Sequence, residues 1–306
     1  MGRLGDLTDE QLQDALYHEG LRFRVGPYVY SLESRFASTR RGLQTLYSDF
    51  PLADPSGFAD YHIALKPSSW IQHLRRKTCF YMDDQQPFGS LENRHAYAFL
   101  EWGMNWCISV CANEYLKLHS AVVAKNGMAL IMPGLPGAGK STLCAVLALN
   151  GWRVLSDEHA MIHLGTANVE PLYRPVSLKN ESIDIIRDYH PGVVMGPTTE
   201  ETHKGVVAHL KADIHPESHE PGPVPARLMV FPQYHYGEKT QLRERTRAEC
   251  FMFAAHHSFN YSTLSETGFD TMTALMDAVQ CYELRYSNLD EALRAIEDLG
   301  AQAKAE

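Results

Sequence analysis

Nine consecutive residues, GLPGAGKST from Gly134 to Thr142, carry the residue types needed to hold a phosphate chain. They fill the pattern G-x-x-x-x-G-K-[ST], with Gly134 opening it and Gly139, Lys140 and Ser141 closing it. Glycines at 134, 137 and 139 are expected to adopt positive φ and to place no Cβ between the backbone N–H groups and an anion. Lys140, expected to face solvent when no phosphate is present, would reach β- and γ-phosphates, and the Ser141 hydroxyl would ligate Mg²⁺. Nucleotide contacts are therefore assigned to Gly134, Pro136, Gly137, Ala138, Gly139, Lys140, Ser141 and Thr142. ATP and Mg²⁺ are the expected ligands. A short stretch later come Asp157, Glu158 and His159, a pair of carboxylates able to take a proton or hold a metal.

Such a loop works only between a strand and a helix. The apolar run Ala129 to Met132 predicts the strand, and Leu143 to Leu149 predicts the helix, whose N-terminus would add about half a positive charge facing the phosphates. Upstream, Lys117 to Met132 reads as a hairpin turning at Lys125-Asn126-Gly127. Trp152 to Ser156 reads as a short strand that delivers Asp157 and Glu158, where magnesium ligands and general bases are found beside a phosphate loop.

A length of 306 residues predicts about two domains, set at 1–112 and 113–306. The net charge of -9 argues against a nucleic-acid partner. Six cysteines without a C-x-x-C pair predict a reduced, cytoplasmic protein, and no apolar stretch reaches the length of a membrane span. The fifteen histidines are scattered, without zinc spacing. Helices are expected at Thr8–His18, Ser34–Phe50, Glu92–Ala112, Ser182–Asp188, Arg247–His257 and Thr271–Gln280, with a last one capped by Asn288. Strands are expected at Phe23–Leu32, Tyr61–Leu65, Thr78–Met82, Arg227–Phe231 and Tyr282–Tyr286. Glu170–Asn180 reads as loop, and Lys211–Pro225, with four prolines, as a surface loop or lid. The fold class is α/β with a mixed, α+β-like sheet and a small α+β N-terminal region.

The run from Leu118 to Ile162 resembles the kinase domain of bacterial HPr kinase/phosphorylase. His119 lies 21 residues before Lys140, the loop follows an antiparallel hairpin, and Asp157-Glu158 stands where that family has paired aspartates. Through LEWGMNW, SDEH, PVSLKNESID, THKG and SFNY, most of the chain resembles the HPr-kinase-related family A. The resemblance implies an ATP-dependent kinase with a hydroxyl acceptor, on a fold similar to the nucleotide-binding domain of phosphoenolpyruvate carboxykinase. It also implies catalytic roles for Lys140, Asp157, Glu158 and His119. Asp157 is expected as the base, Ser141 and Glu158 as metal ligands with Asp157 sharing that duty, and Lys179, Lys204 and Asn260 as substrate contacts. The acceptor is either a small hydroxylated metabolite or a Ser/Thr of a protein or peptide. An open basic groove would favour the polymer, a closed pocket the metabolite. The sequence admits a homo-oligomer and implies no membrane partner. The rival reading is a nucleotide-gated binding module without transfer, which needs Lys140 but not Asp157.

Overall fold

Two units divide the chain: Met1–Cys111 with Ser177–Lys211, and Ala112–Val176 with Ala212–Glu306. The structure is a computed structural model that describes residues 2–202, 204–212 and 222–303. The expected boundary near 112 is present, but 113–306 is not one body. Residues 177–211 belong with the N-terminal unit because their side chains find partners there. Lys211 pairs with Asp49 at 2.6 Å, the His209 ring meets Tyr97 edge-on at 5.6 Å, and Glu201 pairs with Arg94.

The first unit contains a sheet in the order Leu21–Val25, Tyr28–Ser34, Tyr61–Lys66, Lys77–Met82, Leu91–Glu92. A second, smaller sheet runs Val176–Lys179, Gly205–Leu210, Thr199–Thr202. In the helix Ala96–Cys111, which carries LEWGMNW, Gly103 lies against the Phe80 ring, where a Cβ would come within 2.0 Å. Glycine is required there by packing, although it weakens a helix interior. Within the same unit the Lys204 ammonium sits over the Trp102 ring at 5.5 Å.

The second unit is built on a mixed sheet. Its order is Asn168–Glu170, His159–His163, Tyr115–Lys125, Met128–Pro133, Val224–Tyr234, Gln280–Tyr286, Gln241–Glu244, with Arg153–Ser156 also paired to Tyr115–Lys125. Val224–Tyr234 is parallel to both Met128–Pro133 and Gln280–Tyr286. A parallel strand covered on both faces reads as an unbroken apolar run, which is what MALIM and LMVF are. Asn168–Glu170 also pairs with the start of Val224–Tyr234, so the strand path returns on itself around an apolar interior of Leu118, Ile131, Leu155, Ile162 and Met229. The hairpin turn forms as expected, with Asn126 at φ 54° and Gly127 at φ 77°. These are the two positive angles that a two-residue turn of this kind requires.

Several expectations are corrected. Phe23–Leu32 is two strands, because Gly26, at φ 57°, and Pro27 turn the chain between Val25 and Tyr28. Glu170–Asn180 ends in the strand Val176–Lys179. The helix expected at Thr271 begins at Tyr261 and bends at Ser265, where φ is 54°. Val224 and Pro225 open a strand, and residues 213–221 of the expected lid lie outside the described residues. No disulfide joins the cysteines, and among the described residues no helix is long and apolar enough to cross a membrane.

Candidate functional site

The glycine-rich loop leaves Met128–Pro133 at its carboxyl end and enters the helix Lys140–Leu149. Gly137 and Gly139 take the left-handed angles expected of them, φ 83° and 88°. Gly134 does not, and a Cβ there would meet the Lys140 stem at 3.4 Å, an ordinary contact. A Cβ on Gly139 would meet the Tyr286 hydroxyl at 2.3 Å. That hydroxyl donates to the Gly139 carbonyl at 3.3 Å, and the Tyr234 N–H donates to the Ala138 carbonyl at 3.2 Å. The loop is thereby braced from outside by two tyrosines.

Lys140 is the principal departure from expectation. It is 8% exposed, not solvent-facing, because its ammonium turns back across the loop and donates to the carbonyls of Gly134 at 2.6 Å and Leu135 at 3.1 Å. The cation thus closes the loop into a ring and is held over its first two residues. Its charge also reaches His257, whose imidazole is pushed below its ordinary range by burial first and by His256 and Lys140 next.

Asp157 and Glu158 occupy the break between Arg153–Ser156 and His159–His163, which run in one line along Tyr115–Lys125. The Ser156 hydroxyl shapes this break by accepting from the N–H groups of Glu158 at 3.4 Å and His159 at 3.0 Å. The Ser120 N–H also donates to the Glu158 carbonyl at 3.3 Å. Asp157 is 3% exposed, and its charge acts on the Cys144 thiol, which burial and then Asp157 push well above the ordinary cysteine range. Cys144 lies three and four residues after Ser141 and Lys140, hence on their face of the helix. Glu158 is more open and stands 3.5 Å from His119 Nδ1.

Around these groups lie further rings to which the sequence assigned no role. Phe259 packs against His159 with ring centres 4.8 Å apart and against His119 at 5.8 Å. His159 is held neutral down to about 3 by burial first, then by the positive charges of Arg174, His119 and Lys117. His257 is joined to His119 by a backbone bond of 3.0 Å from the His119 N–H. The only signal for these residues was their position within SDEH and HHSFNY, since a buried histidine has no spacing of its own. Asn260, expected as a substrate contact, is 4% exposed. Its Oδ1 accepts from the Lys117 N–H at 2.9 Å, and its Nδ2 donates to the Tyr115 carbonyl at 2.8 Å and to Asn113 at 3.2 Å. It fastens two segments of backbone. Lys179 and Lys204 belong to the first unit, the loop and the acids to the second.

Chemically, the second unit holds one enclosed ammonium over the loop carbonyls and two carboxylates of different exposure. Ser141, Asp157 and Glu158 are hard oxygen donors, and among the described residues no group of three or more His, Cys, Asp or Glu side chains is placed to hold a metal ion. A donor set of that kind suits Mg²⁺, which keeps its waters and shares phosphate oxygens, better than a metal needing a full protein cage.

No family model and no curated protein matches the chain. Among solved structures, the Hpr(Ser) kinase/phosphatase from Coxiella burnetii aligns with 61% of this chain and 98% of its own length, at 11% identity and a TM-score of 0.28.

Proposed function

We propose that the chain is an ATP-dependent phosphotransferase with a hydroxyl acceptor, working from a P-loop at Gly134–Ser141. The observation that carries this reading is the enclosed Lys140 ammonium in a ring of loop backbone, with the buried Asp157 carboxylate beside the same helix face. Phosphoryl transfer asks for positioning and charge neutralisation, and these groups supply both. The N–H groups of Gly137 to Ser141 would hold phosphate oxygens, and Lys140 would exchange its loop carbonyls for the terminal phosphates. Bound Mg²⁺ would supply charge neutralisation on those oxygens, held by Ser141 and Asp157.

The surroundings of the two acids favour the reverse of the sequence expectation for their roles. Asp157, buried beside the loop helix, suits the metal. Glu158, partly open and next to His119, suits the acceptor proton, with His119 orienting the carboxylate. A binding module without transfer could use Asp157 for the metal but gives no role to a proton acceptor at Glu158.

The test is transfer from γ-labelled ATP by the purified chain to a metabolite set and to a cell lysate, with Lys140→Ala as control. Label on any acceptor that disappears in the control is the expected outcome. Tight MgATP binding with no labelled product in either set would favour the binding module.

A further inference from the structure

The acceptor is the part of this reading that one cavity addresses. A cleft of about 440 Å³ lies between Gly134–Ala138 of the loop, the end of the strand Val224–Tyr234, and the helix Arg247–His256. That volume falls in the range of small-ligand sites. Gly134 and Leu135 form one side of it, and their carbonyls receive the Lys140 ammonium. The cleft therefore opens where the cation that serves the terminal phosphates is held. A short chain of contacts leads from the cleft to the acids. Phe253 lines it and packs on the His257 ring with centres 4.4 Å apart, the main-chain carbonyl of His257 accepts from the main-chain N–H of His119 at 3.0 Å, and the His119 ring stands 3.5 Å from Glu158.

The walls also say what fits. Phe231, Pro232, Cys250 and Phe253 make most of the surface apolar. The charged lining groups are Arg245 and Glu249, 3.9 Å apart, and Arg245 is also paired with the buried Glu283. Among the charged side chains that line the cleft, a ligand carrying its own carboxylate would meet a guanidinium already shared by two acids.

We propose that this cleft is the acceptor site and takes an uncharged alcohol with a flat apolar body, its hydroxyl at the Gly134–Leu135 end. The inference rests on the phosphotransferase reading. In the transfer, the alcohol oxygen forms a bond to the terminal phosphorus and the bond from that phosphorus to the bridging oxygen of ATP breaks. The hydroxyl proton passes to Glu158 and then to water, so that ATP and the alcohol become ADP, a phosphomonoester and a proton.

The test uses 2-phenylethanol as the neutral probe, glycerate as the charged one, and two cleft variants. Cys250→Phe fills the cleft from its wall; Phe253→Ala widens it and serves if the first fails to fold. Calorimetry should show 2-phenylethanol binding to the wild type and not to Cys250→Phe, with glycerate silent in both. In transfer assays each variant should raise the KM for 2-phenylethanol at least about tenfold and leave MgATP affinity within about twofold, the signature of lost acceptor binding alone. An unchanged KM in both variants, a preference for glycerate, or equal phosphorylation of a seryl peptide by wild type and Cys250→Phe would overturn the cleft assignment while the kinase reading stands. A wild type that fails to bind MgATP overturns both.

Discussion

Replacing Lys140 with alanine should weaken the empty protein as well as its hold on nucleotide. In the wild type the ammonium donates to two loop carbonyls, at 2.6 and 3.1 Å, and the residue is 8% exposed. Truncation removes three methylenes from a buried setting, about 0.8 kcal/mol each. It also removes two bonds from a charged donor, of which about 1.5–3 kcal/mol survives after solvation of the ammonium is counted. Alanine returns a few tenths of a kcal/mol of helix propensity, and release of a confined charge offsets part of the rest. The net loss should be about 2–4 kcal/mol, a fall in melting temperature of roughly 5–12 °C for a unit of this size. Lys140→Met keeps the stem and should lose about half as much. Scanning calorimetry without nucleotide measures this, and titration with MgATP measures the second effect, which should be lost in both variants. A nucleotide-free Lys140→Ala that melts within a degree or two of wild type would refute the reasoning, since the ammonium could not then be closing the loop.

The two acids should fail differently: Glu158→Gln should lower turnover about 10²- to 10⁴-fold with MgATP affinity nearly kept, whereas Asp157→Asn should weaken MgATP binding and recover partly at high Mg²⁺. Transfer rates and affinities for both would expose the opposite assignment at once. Gly139→Ala should abolish nucleotide binding, because its Cβ would meet the Tyr286 hydroxyl at 2.3 Å and φ is 88°. Pairing it with Tyr286→Phe should relieve the clash and leave the backbone strain of about 1 kcal/mol; full recovery of MgATP binding in the double variant would show that the left-handed angle does not matter. Stability should also fall with acidity. His159 keeps a folded value of about 3 against 6.5 unfolded. The unfolded chain therefore binds a proton that the folded one refuses as pH drops below 6.5, and the loss grows by up to about 1.4 kcal/mol per pH unit until about 3. His257, shifted in the same direction, adds to the slope. Urea unfolding at pH 7 and pH 5 should show a smaller difference in His159→Phe than in wild type, and an equal difference would remove His159 from the account.

Local chemistry made parts of both units legible. Asn126-Gly127 specified a hairpin, the apolar run before Gly134 specified a strand, and Thr8 with Gln11 specified a capping box whose two bonds both form. What remained hidden depends on distant partners. The short strands Thr199–Thr202 and Gly205–Leu210 alternate weakly, and only the side chains of Asp49, Arg94 and Tyr97 show why their segment leaves the second unit. The glycine and lysine of the loop were legible as types, but the inward turn of Lys140 was not, since the loop offers carbonyls that no pattern of letters records. Asn260 misled for the same reason: a polar residue in SFNY reads as reactive until its amide is seen on the backbone at Lys117 and Tyr115.

The order in which the chain is synthesised gives the two tyrosine braces a further meaning. The loop and its strand are made first, and Val224–Tyr234, the parallel neighbour of Met128–Pro133, follows only after the excursion through 177–211. The other brace, Tyr286, lies on the strand Gln280–Tyr286, which is made later still. A chain still emerging from the ribosome therefore carries the glycine-rich loop without the residues that clamp Ala138 and Gly139. A product truncated before Tyr286 would accumulate with its loop unclamped at Gly139.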